Sequence, residues 1–254
     1  MTEKKKTKKK IVSNIVLLIA IGVFLFSGYE LFEIFSEYQK GDSEYEHIRE
    51  NVIQEKESVS GEGSPRFVVD FATLKEINPE IAAWIRFDES SQISYPVAKG
   101  ADNDKYLHTT FEGKKNASGT LFVDYENNSD FTDRNTFIYG HNMKNGSMFG
   151  KLRQYRAQEF CQANPYFYIY TPDGKEITYQ VFAVSIVKAT SEIYQIRYAD
   201  DEEFLNYIES VKKLSLYSTN VEVEADSQIV SLSTCTNRTD DERILVQGVK
   251  IGER

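Results

Sequence analysis

Gln228-Ile-Val-Ser-Leu-Ser-Thr-Cys-Thr-Asn-Arg-Thr-Asp-Asp-Glu-Arg-Ile-Leu-Val-Gln-Gly-Val-Lys-Ile251 is the run on which the reading of the chain turns. Its two ends, Gln228 to Leu232 and Ile244 to Ile251, are rich in β-branched and aliphatic residues and read as strands, with the polar middle as the loop between them. Cys235 then stands at a strand end and Arg243 opens the next strand. Consecutive strands commonly pair, which returns the guanidinium to the side of the thiol. A cysteine is also often just a small buried apolar residue. With Cys161 as the second of two cysteines, a Cys161 to Cys235 disulfide is the competing use of this thiol.

Working back from this run, Ile93 to Val97, Gly119 to Asp124, Asn135 to Gly140, Tyr166 to Tyr170 and Ile177 to Val187 repeat the same strand composition, and Pro172-Asp-Gly174 is a hairpin turn between the last two. Aromatic residues make up 13% of the chain, which favours the same secondary structure. At least seven short strands predict a mainly β protein closed into a barrel, because closure removes exposed sheet edges. Helices interrupt the pattern. Asp70 caps one starting at Phe71 with Leu74, Ile77, Ile81 and Trp84 on its apolar side, and Pro79 marks a fresh helical start after Asn78. Ser147 to Tyr155 reads as a short helix, and Asp201 to Leu214 as a longer one capped by Asp200. The longer helix carries Phe204, Leu205, Ile208, Val211 and Leu214 at helical spacing, a stripe that packs against the barrel.

The N-terminal end has a different character. Residues 1–10 hold six Lys and one Glu, a local +5, which leaves −14 on the remainder of a chain whose net charge is −9. A body so acidic excludes nucleic acid as a partner, because phosphate binding needs a basic face. Residues 11–35 form an apolar anchor, close to the roughly 20 residues that a bilayer span requires. The Lys-rich tail at 1–10 puts the N-terminus in the cytoplasm and the rest outside, as a single-pass protein of the cell membrane. Residues 36–65 read as a helical stalk, Glu33 to Glu57, followed by the linker Ser58 to Pro65, and the folded domain takes up 66–254. A cleaved signal peptide is the alternative for 11–35, but Ser27-Gly28-Tyr29 fits a cleavage site poorly.

Three His are available to a thiol nucleophile. His47 lies in the polar stalk, His108 in Tyr106-Leu-His-Thr109, and His141 follows the strand Thr136 to Tyr139 and the strand-ending Gly140. A strand end on a rim is where a general base belongs, so His141 is the candidate. His-Glu-x-x-His, Cys-x-x-Cys, Gly-x-Ser-x-Gly and Walker patterns are all absent from the sequence, and no metal is called for.

Ser231-Leu-Ser-Thr-Cys235 resembles the Thr-Leu-x-Thr-Cys active-site motif of sortases, the Gram-positive cell-surface transpeptidases, departing from it at Ser231. Tyr139-Gly-His-Asn-Met143 with Met148-Phe-Gly-Lys-Leu152 resembles the histidine region of class B, as do Asn103-Asp-Lys-Tyr-Leu107 and the helix inserted before the cysteine strand. The resemblance implies a closed sortase-type β-barrel of about eight strands with N-terminal helices. It implies Cys235 as nucleophile, His141 as proton donor and acceptor and Arg243 as transition-state stabiliser, with Arg238 in a variable loop. Asn103, Leu107 and Ser233 would line the sorting-motif groove. At Thr236 some class B enzymes carry an acidic residue.

The implied activity is cysteine transpeptidation without a cofactor. A C-terminal sorting signal is cleaved after Thr through a thioacyl intermediate, and the surface protein is attached to a peptidoglycan or lipid II amine. A pilin-polymerising enzyme forming Lys isopeptide bonds and a non-catalytic surface-binding module are the alternatives. Asparaginyl-prolyl and leucyl-prolyl sorting motifs are both open.

Overall fold

Strands of mostly β-branched and aromatic residues leave reactive edges when a sheet stays open, and this chain removes those edges by closure. The computed structural model describes residues 3–56, 66–87, 93–236, 239 and 241–254. In chain order these form α1 (Glu3–Val52), β1 (Ile53–Lys56), β2 (Arg66–Val69), α2 (Phe71–Ile77), β3 (Ile81–Phe87), β4 (Ser94–Ala98), β5 (Leu121–Val123), β6 (Asn135–Tyr139), α3 (Gln158–Ala163), β7 (Tyr166–Tyr170), β8 (Glu176–Lys188), α4 (Asp201–Leu214), β9 (Ile229–Cys235) and β10 (Glu242–Glu253). Eight of the described strands close a barrel in the order β10-β8-β7-β3-β4-β5-β6-β9. β4 with β5 and β6 with β9 are parallel pairs, and the other neighbours are antiparallel. The expected mainly β, closed barrel of about eight strands is the fold observed.

Two compact units are distinguished, Met1–Lys40 and Gly41–Arg254. In the first, the apolar side chains from Ile15 to Phe35 lie exposed, Phe24 at 76%. This stretch is long and apolar enough to cross a membrane by length and composition. The second unit takes in the last turns of α1. Tyr45, Ile48 and Val52 are buried, Tyr45 Oη donates to the Gly119 carbonyl, and Arg49 Nη2 donates to the Ser94 carbonyl at 3.1 Å. The folded body therefore starts before Arg66, because the end of α1 carries an apolar face that needs cover.

Other expectations are corrected. The stalk is not helical to its end: Ile53–Lys56 is a strand paired antiparallel with Arg66–Val69. The linker Ser58 to Pro65 lies outside the described residues. α2 is capped as expected, with Asp70 Oδ1 accepting from the backbone N–H of Ala72 and Thr73 at 3.0 and 3.1 Å. Past Asn78, however, there is no second helix. Asn78 Oδ1 accepts from the Glu80 N–H at 3.0 Å, the turn ends there, and Ile81 and Trp84 belong to β3. Ser147 to Tyr155 is not an α-helix; a 3-10 helix occupies Gly150–Arg156, followed by the unexpected α3. α4 forms as expected from its Asp200 cap, but Leu205 and Leu214 are exposed, and the buried face is Phe204, Tyr207, Ile208 and Val211. That face packs on Phe137, Ile229, Leu245 and Val249. Alternation along β9 puts Ser231, Ser233 and Cys235 on the same side as Ile229, the side covered by α4 and by residues 189–200.

Candidate active site

Two ladders meet at the end of β9. Across the antiparallel one, Cys235 stands directly opposite Arg243, and directly opposed residues share a face with Cβ atoms about 4.5–5.5 Å apart. The Thr236 N–H donates to the Glu242 carbonyl at 3.1 Å and carries the ladder one step further. Across the parallel one, Tyr139 stands opposite Ser233, and the Gly140 N–H donates to the Ser233 carbonyl at 3.2 Å. The parallel register ends at that pair, two residues before His141 on one strand and two before Cys235 on the other. Asn142 Nδ2 closes the junction by donating to the Cys235 carbonyl at 2.7 Å.

The approach needs a glycine before the histidine. A Cβ on Gly140 would lie 2.2 Å from Leu121 Cδ2 and 2.8 Å from Phe149 Cδ2. Beyond the strand, the Phe149 N–H returns to the His141 carbonyl at 3.0 Å. The imidazole is fixed as well. His141 Nε2 lies 2.6 Å from the Leu107 carbonyl, which can only accept, so Nε2 carries the proton and Nδ1 is the acceptor nitrogen of the neutral ring. Burial, with the neighbouring His108 adding to it, pulls the His141 pKa below its ordinary 6.5 against the opposing Leu107 hydrogen bond. The His108 ring stacks on His141 with centroids 6.0 Å apart, while His47 sits exposed on α1 beside Asn51.

Cys235 is half-buried and unbridged. The disulfide alternative is overturned, because Cys161 is a free thiol buried on α3, where burial pushes its pKa up. Arg243 Nη1 donates to its neighbour's carbonyl at Glu242, 3.1 Å. Arg238 lies outside the described residues.

The expected groove residues are placed unequally. Leu107 reaches the site through its carbonyl on His141. Ser233 is only 3% exposed and meets Tyr194 Oη at 2.8 Å, so Tyr194 covers it. The Asn103 side chain is committed at both ends, donating to Asp124 Oδ2 at 3.0 Å and accepting from the Tyr125 N–H at 3.0 Å. Asp124 Oδ2 also accepts from Tyr139 Oη at 2.8 Å. The Tyr139 and Tyr194 rings stack at 6.5 Å and complete an aromatic wall. Sequence reasoning did not assign Tyr139, Tyr194, Asp124 or Asn142 to the site. Asn142 and Tyr139 had a signal, lying within two residues of His141; Tyr194 and Asp124 are joined by contacts from other segments. A separate polar cavity lined by Glu126, Asp133, Arg134 and Arg197 adjoins the opposite end of β6 from His141 and contains none of the expected residues.

Residues 89–251 match the sortase domain family. Sortase B of Listeria monocytogenes is 31% identical over 244 residues, covering 94% of this chain and 97% of that protein. This chain belongs to the class B sortases. Its barrel superposes on a sortase B from B. anthracis in complex with AAEK1 with a TM-score of 0.72 and 32% identity, over 86% of this chain and 99% of the other. A Staphylococcus aureus sortase B-substrate complex aligns with a TM-score of 0.66 and 27% identity, over 71% and 84% of the two chains. Sortase B membership makes the protein a transpeptidase, and the closed eight-stranded barrel is the scaffold of that class.

Proposed function

We propose that this sortase uses Cys235 as its nucleophile, His141 as its proton carrier and Arg243 as its oxyanion donor. The reading is supported by one observation: Cys235, at the end of β9, stands opposite Arg243 on one side, and Asn142, the residue after His141, donates to the Cys235 carbonyl on the other. Neutral His141 takes the thiol proton at Nδ1, since Nε2–H is committed to Leu107. The thiolate adds to the carbonyl carbon of a Thr in the sorting signal, and Arg243, which keeps its charge at any physiological pH, donates to the resulting oxyanion. The C–N bond to the next residue breaks as imidazolium protonates the leaving amine. The thioacyl enzyme then meets an amine of peptidoglycan or lipid II. His141 accepts the proton of that amine, the amide forms, and the thiolate leaves.

Asn103, Leu107 and Ser233 belong to the groove for the sorting motif in this reading. Ser233 acts from behind Tyr194, and Asn103 acts by orienting Asp124 toward Tyr139. The apolar stretch at 11–35 anchors the enzyme, with the Lys-rich tail in the cytoplasm and the barrel outside. The complex of the Staphylococcus aureus relative with a substrate supports sorting-signal proteins as partners.

The test is turnover by the full chain in detergent, with peptides of an asparaginyl-prolyl and a leucyl-prolyl series and an amine acceptor. Mass spectrometry should find a thioacyl adduct on Cys235 and cleavage after Thr, and Cys235→Ala should abolish both. Unchanged turnover in that variant would sink the assignment. An isopeptide on a Lys side chain in place of the supplied wall amine would make it a pilin polymerase.

A further inference from the structure

Residues 189–200, between β8 and α4, contain no helix or strand, yet they hold Tyr194 over Ser233. What fixes them is a polar hub buried under α4. Asn135, Ser231 and Gln247 are fully buried and Tyr207 is 5% exposed. Gln247 Nε2 donates to Ser231 Oγ at 2.8 Å and to Tyr207 Oη at 3.0 Å. Ser231 Oγ donates to Asn135 Oδ1 at 2.8 Å. Asn135 Nδ2 lies 3.0 Å from the Gln195 carbonyl, 3.0 Å from Tyr207 Oη and 3.2 Å from Tyr198 Oη. Tyr207 Oη donates to the Ile193 carbonyl at 3.0 Å, and Tyr198 Oη to the Gln195 carbonyl at 2.8 Å.

The direction of these bonds follows from the donor inventory. An amide nitrogen only donates and a carbonyl only accepts, so the donors from β6, β9, β10 and α4 lead to two backbone acceptors. Those acceptors belong to Ile193 and Gln195, the residues on either side of Tyr194. The hub also leaves Gln247 Oε1 buried without a partner. A buried acceptor left unpaired costs stability, whereas an apolar cluster of the same shape would not incur that cost. Such an arrangement defines position more than it contributes stability.

Resting on the reading of Cys235 as the nucleophile, we propose that Asn135 and Tyr207 are positioning residues that lock Tyr194 onto Ser233 before substrate arrives, so that the groove wall beside the thiol is preformed. Neither residue touches the reacting atoms. Their effect reaches the substrate through Tyr194, which covers Ser233 two residues before Cys235. A preformed wall removes the ordering cost from peptide binding, so loosening it raises KM more than it lowers kcat.

The experiment uses Tyr207→Phe in the full chain, because the variant keeps the packed ring and loses only the hydroxyl; Asn135→Ala serves as the harsher second variant. Hydrogen exchange followed by mass spectrometry should show amides within 191–198 exchanging about tenfold faster, with β9 and β10 unchanged, as expected for a local rather than global opening. With the best-turned-over peptide of the two series, KM should rise about tenfold with kcat within about twofold, a loss of uniform binding. Unchanged exchange in 191–198, or a fall in kcat at constant KM, overturns the proposal. The exchange arm does not depend on turnover. If Cys235→Ala retains activity, the nucleophile assignment fails, while the exchange result still decides whether the hub holds the loop.

Discussion

A histidine that has committed one ring nitrogen to a backbone carbonyl has only one left for chemistry, and His141 is in that position. Its proton sits on Nε2 facing Leu107, its ring is mostly enclosed, and its pKa is pulled below 6.5 by burial, with His108 adding to the effect. The same shift has a consequence for stability. Between 6.5 and the lowered folded value, the unfolded chain binds a proton at this site that the folded chain does not. Folding is therefore progressively disfavoured as pH falls through that window, and the contribution is fully present above it. The carboxylates Asp70 and Glu80 are held below their ordinary 3.8 and 4.5 by hydrogen bonds from Thr73 and Lys105, so the stability they contribute is lost only as pH falls below those ordinary values. The thermal midpoint of the wild type should fall from pH 7 to pH 5, and His141→Gln, whose amide can still donate to Leu107, should flatten that slope. Equal slopes in the two proteins would remove burial of His141 as the cause.

At the level of elements, β6 delivers the histidine and its last step depends on Gly140. A methyl group there meets Leu121 and Phe149 inside ordinary contact distance, so Gly140→Ala must push the strand end away from β9 or displace Phe149. Overpacking of this kind costs about 1–3 kcal/mol, and displacement of a catalytic group by about 1 Å can cost about a hundredfold in rate. Gly140→Ala should lower the thermal midpoint and reduce kcat between tenfold and a hundredfold, while iodoacetamide still alkylates Cys235; wild-type kcat would show that the strand end tolerates the shift. Gly140 was legible as the residue ending a strand, and β4 to β10 were legible because β-branched and aromatic runs alternated with turn residues. β3 was not. Ile77, Ile81 and Trp84 fall at helical spacing, and β3 is buried on both faces, so its sequence lacks the period of two. Leu205 and Leu214 were misplaced for a related reason, since Tyr207 takes the buried position in α4 and its hydroxyl is satisfied by the hub.

For the whole molecule, the pairing of Cys235 with Arg243 was legible in the sequence and the surroundings of the candidate site were not. Cys235 and Arg243 are neighbours through a local hairpin, and His141 stood out as a strand-end histidine. Asp124 meets Tyr139 across the β5–β6 pair and Tyr194 reaches Ser233 from the loop between β8 and α4, contacts that no local pattern records. The N-terminal segment is the opposite case, because an anchor signal is compositional and needs no tertiary contact. Its apolar side chains from Ile15 to Phe35 are exposed, and burying that surface in lipid gains about 25 cal/mol for each Å² removed from water. Six Lys in the first ten residues favour retention of that end in the cytoplasm. The full chain should therefore stay in the membrane pellet through high-salt and alkaline carbonate washes, whereas a chain beginning at Gly41, the start of the second compact unit, should be released. Protease added to intact protoplasts should digest the barrel and spare an N-terminal tag. Digestion of the tag with a protected barrel would reverse the topology.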